Sequence, residues 1–171
     1  MKQRAMERFY EEIKEAAGRG LQCSQIIVDI GLRHLGMRSE CLIKGTAGLV
    51  GAMGLQEATC GALTGSASLV AFAAIDRLGH GIYLLIEELE SRFSDLISEY
   101  PGNTCSAILD HDPTKVPTEV CPAIIAGSLQ IALELLEESG IHAPGEATSQ
   151  DAKPGWELGL DEDVETITSK P

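Results

Sequence analysis

"TCGALTGSASLVAFAAIDRL", residues 59–78, is the longest apolar stretch of the chain. It is far longer than a strand and shows no apolar–polar alternation, so it reads as a buried helix. Two glycines four apart, Gly61 and Gly65, lie inside it, directly after Cys60. Glycine in a helix interior costs about 1 kcal/mol relative to alanine. A helix that accepts this cost twice is thin beside its cysteine. Gly61, Ala62 and Gly65 leave a bare face on which another backbone can approach, bringing a second helix start and its cysteine toward Cys60. The plain alternative is a small-residue packing seam without chemistry.

Working outward, the periodicity is helical almost everywhere. Met6, Phe9, Tyr10, Ile13 and Ala17 recur at spacings of three and four over residues 3–17. Residues 23–35 repeat the pattern with Ile26, Ile27, Ile30 and His34, and Gly36 is a natural stop. Ser39 and Glu40 open a third helix over 40–50, which "GLVGAMGLQEA" breaks with glycines. The apolar helix starts at Thr59 and ends at "GHG"; an amphipathic helix follows over 82–100, closed by Pro101-Gly102. A short helix spans 103–109, and the last spans 121–139. The expected fold is all-α: a single bundle of about six to seven helices over residues 1–140. Residues 141–171 have little periodicity, several prolines and glycines and an acidic cluster, and read as a flexible acidic tail that Trp156 could anchor.

Composition narrows the function. Aromatic residues make up only 4% of the chain, so the core is built from small and aliphatic side chains. Thirteen basic residues against 26 acidic ones leave a net charge of −13. Such a surface repels nucleic acid and anionic membrane, and neither is an expected partner. The 14 apolar residues of "ALTGSASLVAFAAI" are too few to span a bilayer. The N-terminus carries no signal-like apolar region. A cytoplasmic location follows as the expectation, and there structural disulfides are uncommon. The five cysteines therefore point to metal, cluster or transient redox chemistry, against the bland reading of small core residues.

Four of the cysteines share a local setting. Cys23 opens the second helix, Cys60 follows the plausible cap Thr59, Cys105 follows Asn103-Thr104, and Cys121 precedes Pro122. Each is expected in or beside a first helical turn, where unpaired N–H groups and the helix dipole favour a thiolate. Cys41, two residues after Ser39, fits the same description, so local setting alone does not choose four from five.

The choice comes from a resemblance. "QCSQ" with Cys23 and Gln25, "GLVGAMGLQEATCGALTG" with Cys60, Gly61, Ala62 and Gly65, "NTCSAIL" with Cys105 and "EVCPAII" with Cys121 occur in the order and spacing of the C-GCAxxG-C-C family of redox-active proteins. The family's glycine-rich stretch often has more consecutive glycines than this one. Cys41 matches no family position and is taken as a core thiol. The resemblance implies a redox role for Cys23, Cys60, Cys105 and Cys121, with Gly61, Ala62 and Gly65 shaping the site. A related module is joined to haem domains in split-Soret-type cytochromes, which implies an electron-transfer setting. This chain has no C-x-x-C-H, so covalent haem attachment is excluded.

Three chemistries suit such a set. Four thiolates can hold an iron–sulfur cluster for electron transfer, the favoured reading, although the intervening gaps of 36, 44 and 15 residues are unlike compact cluster motifs. Pairs of the thiols could instead cycle through disulfides, as a redox protein or sensor. Structural zinc on four cysteines, or on three with His111, is the third. An interaction module without chemistry remains the contrast. No nucleophile motif, phosphate loop or placed carboxylate pair argues for a catalyst, so an electron-transfer or redox accessory protein is preferred over an enzyme. Its expected partner is a redox protein, and a homodimer is compatible with it.

Overall fold

Phe9, Ile13 and Ala16 share one face of the first helix, α1 (Lys2–Gly18), and all three are buried. The computed structural model describes residues 2–55, 57–112 and 114–142; among these the chain is all-α and no strand occurs. The long helices are α1, α2 (Cys23–His34), α5 (Gly61–Leu78), α6 (Ile82–Leu96) and α8 (Pro117–Glu138). The apolar α2 and α5 form the centre, with Ile27, Ile30 and Leu32 of one and Leu69 and Val70 of the other almost fully buried. α8 closes over α5 through Leu129 and Ala132, α6 joins them through Leu89 and Phe93, and α1 covers α2 and α8.

Direction matters more than membership. Gly65 lies against Ser24, and Gly31 against Leu69, so α2 and α5 run the same way. Ser66 Oγ meets Ser128 Oγ at 2.8 Å, and farther along both helices Arg77 donates to the Gly140 carbonyl, so α5 and α8 also run together. Parallel helices cannot be joined by tight hairpins, and the connections between them carry the short elements. The starts of α2 and α5 and the first part of α8 therefore gather at one end of the bundle.

Several boundaries differ from the periodicity. The expected helix over 40–50 is three pieces: α3 (Glu40–Gly45), a 3-10 turn (Thr46–Leu49) and α4 (Val50–Leu55). α3 buries no side chain and is held by its Ser39 cap and by Gln25 Nε2 on the Ile43 carbonyl at 3.2 Å. α5 starts at Gly61 with Cys60 as its cap, because Thr59 is drawn into an isolated antiparallel bridge with Thr104. The short α7 is Cys105–Ile108, capped by Thr104. α8 begins at Pro117, whose ring suits the first helical position, four residues before the expected start. Gly61–Leu96, taken through the intervening 3-10 turn, and Pro117–Glu138 are each long and apolar enough to cross a bilayer by length and composition alone. The longer of the two is not one straight helix: the chain turns back at Gly79, and α6 runs against α8 and α5, with Arg92 at Glu138 and Leu96 beside Gly127. Of the tail expected over 141–171, residues 143 onward and Trp156 lie outside the described residues.

Candidate functional site

The glycine pair on α5 does what a thin helix allows. A Cβ on Gly61 would stand 2.5 Å from Cys23 Sγ and 3.0 Å from the Leu49 carbonyl oxygen. One on Gly65 would stand 2.7 Å from Ser24 Cα and 2.8 Å from its carbonyl oxygen. Three of these four distances are shorter than real contacts. The bare face of α5 is filled by the start of α2, and Cys23 is pressed against the residue that follows Cys60.

Cys105 reaches the same place from a chain segment farther on. The Thr59–Thr104 bridge and the Cys60 N–H, which donates to the Asn103 carbonyl at 2.8 Å, hold residues 59–60 beside 103–105. Thr104 Oγ1 then accepts from the Ala107 N–H at 3.1 Å and starts α7 immediately. Cys60 and Cys105 come close enough for their titrations to be linked, and the Gly61 N–H also favours the charged form of Cys105. Cys121 sits in α8, close enough to Cys105 and Cys23 to feel their charge. Cys60 is buried, Cys23, Cys105 and Cys121 are half-buried, and Cys41 is exposed on α3 rather than in the core.

The protonation pattern departs from the helix-start expectation. Only Cys105 is held down, to about 7, first by the Cys60 S–H and then by the Gly61 N–H. Cys60 is pushed far up by the same pairing and by burial. Burial also raises Cys23, against the opposing N–H groups of Gly51 and Ser24, and pushes Cys121 up to about 11. For Cys121 the reason is position. With α8 starting at Pro117, Cys121 is the fifth helical residue and Pro122 lies inside the helix, beyond the turn where N–H groups are free. At Cys23 and Cys121, removing a thiolate from water is the leading effect.

The element that the sequence did not disclose is α4. Gly51, Ala52, Met53 and Gly54 all have left-handed backbone angles, with φ of 62°, 57°, 62° and 75°. This single left-handed turn crosses the cysteine end and packs on the starts of α2, α5 and α7. Its Gly51 N–H favours the charged form of Cys23, and Ala52 is completely buried. Glycine adopts the conformation freely, whereas a side chain costs about 1–2 kcal/mol per residue. The spacing of Gly51 and Gly54 was the available signal, but Ala52 and Met53 argue against a left-handed turn by composition. Met53 is mostly exposed. Met53→Gly is therefore expected to raise stability by about 0.5–1 kcal/mol, since part of the relieved strain is offset by the freer unfolded chain. A urea melt checks it, and a lowered midpoint would show that the Met53 side chain is held by contacts outweighing the strain.

The histidines lie elsewhere. His34 Nε2 meets Glu12 Oε2 at 2.8 Å in the α1–α2 seam, and His80 stacks on Tyr83. His111, the candidate fourth zinc ligand, is exposed on the turn after α7. Among the described residues, no group of three or more His, Cys, Asp or Glu side chains stands ready to hold a metal ion. The arrangement offers an acidified thiol, Cys105, beside a buried one, Cys60, with the thiols of Cys23 and Cys121 near them.

No curated protein and no solved structure is significantly similar to the chain. A sequence family matches over residues 21–135, from the start of α2 to near the end of α8, and so takes in all four cysteines and the left-handed turn. By this match the chain belongs to the family described as "Putative redox-active protein (C_GCAxxG_C_C)".

Proposed function

We propose that the protein is a dithiol–disulfide redox protein in which Cys105 attacks and Cys60 resolves. The observation that carries this reading is the pairing of residues 59–60 with 103–104, which sets Cys60 beside Cys105, where Cys105 is held down toward neutrality. A thiol near neutrality is an effective attacking group, because the thiolate is well populated and its nucleophilicity is not lost to extreme acidity. The oxidant is a disulfide on a partner protein. Cys105 attacks one of its sulfurs, forming a mixed disulfide and releasing a partner thiolate, which takes a proton. Attack removes the charge beside Cys60, whose thiol then gives its proton to water. The Cys60 thiolate attacks Cys105 Sγ and releases the second partner thiolate. Two protein thiols become one disulfide, and the partner disulfide becomes two thiols.

A second reading rests on a different observation. Cys23, Cys60, Cys105 and Cys121 would be the ligands of an iron–sulfur cluster, and the N–H groups of Gly51, Ser24, Gly61 and Ala62 that already act on their sulfurs are the type of donor that tunes such ligands. A bound cluster would supply one-electron transfer. The donor types fit, whereas the present side-chain arrangement favours paired thiols. Anaerobically purified protein separates the two. The dithiol reading expects neither iron nor sulfide, five titratable thiols when reduced, three after oxidation, and a Cys60–Cys105 cross-link in the peptide map. Stoichiometric iron and sulfide would instead establish the cluster.

Stability should follow pH in a way set by these thiols. Unfolded cysteine titrates near 8.5. Cys105, depressed in the folded state, contributes stability that is present above that value and is lost as pH falls through about 7. Cys23, Cys60 and Cys121 are raised, so their contribution is present below the unfolded value and is lost as pH rises beyond it. The reduced protein is expected to gain stability from about pH 6.5 to 8.5 and to lose it above about pH 9. Urea melts under reducing conditions measure this, and a monotonic rise to pH 10.5 would contradict the protonation pattern.

A further inference from the structure

Away from the cysteines, arginines gather in a cleft. Asp29 of α2 is buried, and its carboxylate takes Arg19 from beyond α1 at 2.5 Å and Arg33, one turn along α2, at 3.3 Å. Two guanidiniums on one carboxylate leave one positive charge and several unused N–H donors. Both arginine side chains remain partly open to water, at 47% and 40% exposure. Arg38 adds a third guanidinium, and among the described side chains no carboxylate or carbonyl holds it; Arg8, Arg77 and Arg92 are each held by one. The three arginines line a cleft of about 510 Å³ between α2, the turn after α1 and the start of α3. Its apolar lining is Leu21, Leu32, Met37 and Ile43. Glu40 also lies at its edge, with its carboxylate on Lys44 at 3.3 Å.

Three arginines, Arg19, Arg33 and Arg38, line the cleft with the two carboxylates Asp29 and Glu40; just outside the lining, Lys44 pairs with Glu40 and Glu15 acts on Arg19. A local excess of one positive charge in a chain of net charge −13 runs against the trend of the whole molecule. Guanidiniums present planar forks of donors suited to phosphate oxygens, and an apolar wall beside them suits an organic body. The volume is that of a small-molecule site. We infer that this cleft binds an organic phosphate monoester, with its dianionic head on Arg38 and the unused edge of Arg33 and its apolar part over Leu32, Met37 and Ile43. Because α3 buries none of its side chains, a ligand there would also tie α3 to α2.

The test uses the full chain, reduced, with hexyl phosphate as the probe and inorganic phosphate and hexanol as controls. Hexyl phosphate is expected to raise the melting temperature in a concentration-dependent way and to shift the NMR methyl signals of Leu32, Met37 and Ile43. Inorganic phosphate should bind at least about tenfold more weakly, lacking the apolar contact, and hexanol should not bind measurably. Arg38→Gln should weaken hexyl phosphate by about tenfold or more while leaving the melting temperature of the free protein unchanged, since Arg38 holds nothing in the fold. Arg38→Lys, which keeps the charge but not the fork, should fall between. The site is overturned if hexyl phosphate leaves those methyl signals unmoved at about 10 mM. It is also overturned if Arg38→Gln binds as tightly as the parent protein, or if hexanol binds as well as its phosphate.

Discussion

Gly65→Leu is expected to cost about 3 kcal/mol or more and to dismantle the cysteine end of the bundle, although it removes no sulfur. The obstacle to a side chain at this position is backbone. Ser24 Cα and its carbonyl oxygen stand where the Cβ would be, at 2.7 and 2.8 Å, and no rotamer change relieves them. Ser24 is itself buried, with its Oγ on the Thr46 carbonyl at 2.8 Å, so α2 can move away only by breaking that bond and pulling Cys23 off Gly61. Gly45→Ala on α3 is the control. Nothing lies within 4 Å of its Cβ position, so better helix propensity should leave stability unchanged or raised by up to about 1 kcal/mol. Urea midpoints compare the two, and thiol titration of the folded fraction reports the site. Equal midpoints for Gly65→Leu and Gly45→Ala would mean that α2 and α5 do not meet at this seam.

The second large effect is on reactivity. Near pH 7 about half of Cys105 is thiolate, whereas a thiol near pKa 9 is only about 1% ionised, so Cys105→Ser is expected to slow alkylation by iodoacetamide on the order of fiftyfold. It should also abolish disulfide formation with a partner. The two Cys60 variants then divide the roles of that residue. Cys60→Ser retains a hydroxyl donor, so Cys105 stays reactive near neutrality, but the mixed disulfide with the partner is no longer resolved and accumulates. Cys60→Ala removes the donor, and the alkylation profile of Cys105 should move to higher pH. Cys41→Ser, on the exposed face of α3, should do neither. If Cys60→Ala leaves the pH profile of Cys105 in place, the Cys60 S–H is not what holds that thiolate. Loss of bound iron with either Cys60 variant would instead follow from the cluster reading.

Much of the architecture was legible because helix formation is local. The spacing of Phe9 and Ile13, of Ile26, Ile27 and Ile30, and of Leu89 and Phe93 along the chain is the spacing of one helical face, and these residues are buried as that pattern requires. Gly61 and Gly65 read correctly as a close-approach face for the same reason, since four residues make just over one turn. Boundaries were less legible where two residues compete for one role. Both Pro117 and Pro122 could open α8, and Thr59 and Cys60 could each cap α5. The bridge from Thr59 to Thr104, made across more than forty intervening residues, decided the second case. The left-handed turn was hidden more deeply, because Ala52 and Met53 disfavour it on their own and only the surrounding packing holds them there.

The sequence by itself determined an all-α chain, the thin face of the helix that follows Cys60, and the family to which the four separated cysteine elements belong. Tertiary structure alone decided that α2, α5 and α8 run in one direction, that Cys105 comes beside Cys60, and that burial raises Cys23 and Cys121 while Cys105 is held down. The division has a physical cause. Helical periodicity arises from hydrogen bonds four residues apart and from side chains on one face, which any short window contains. The proton on a sulfur depends on how far burial strips it of water and on which N–H and S–H groups point at it. For Cys105 those groups come from Cys60 and Gly61, which the chain brings alongside only when the bundle closes.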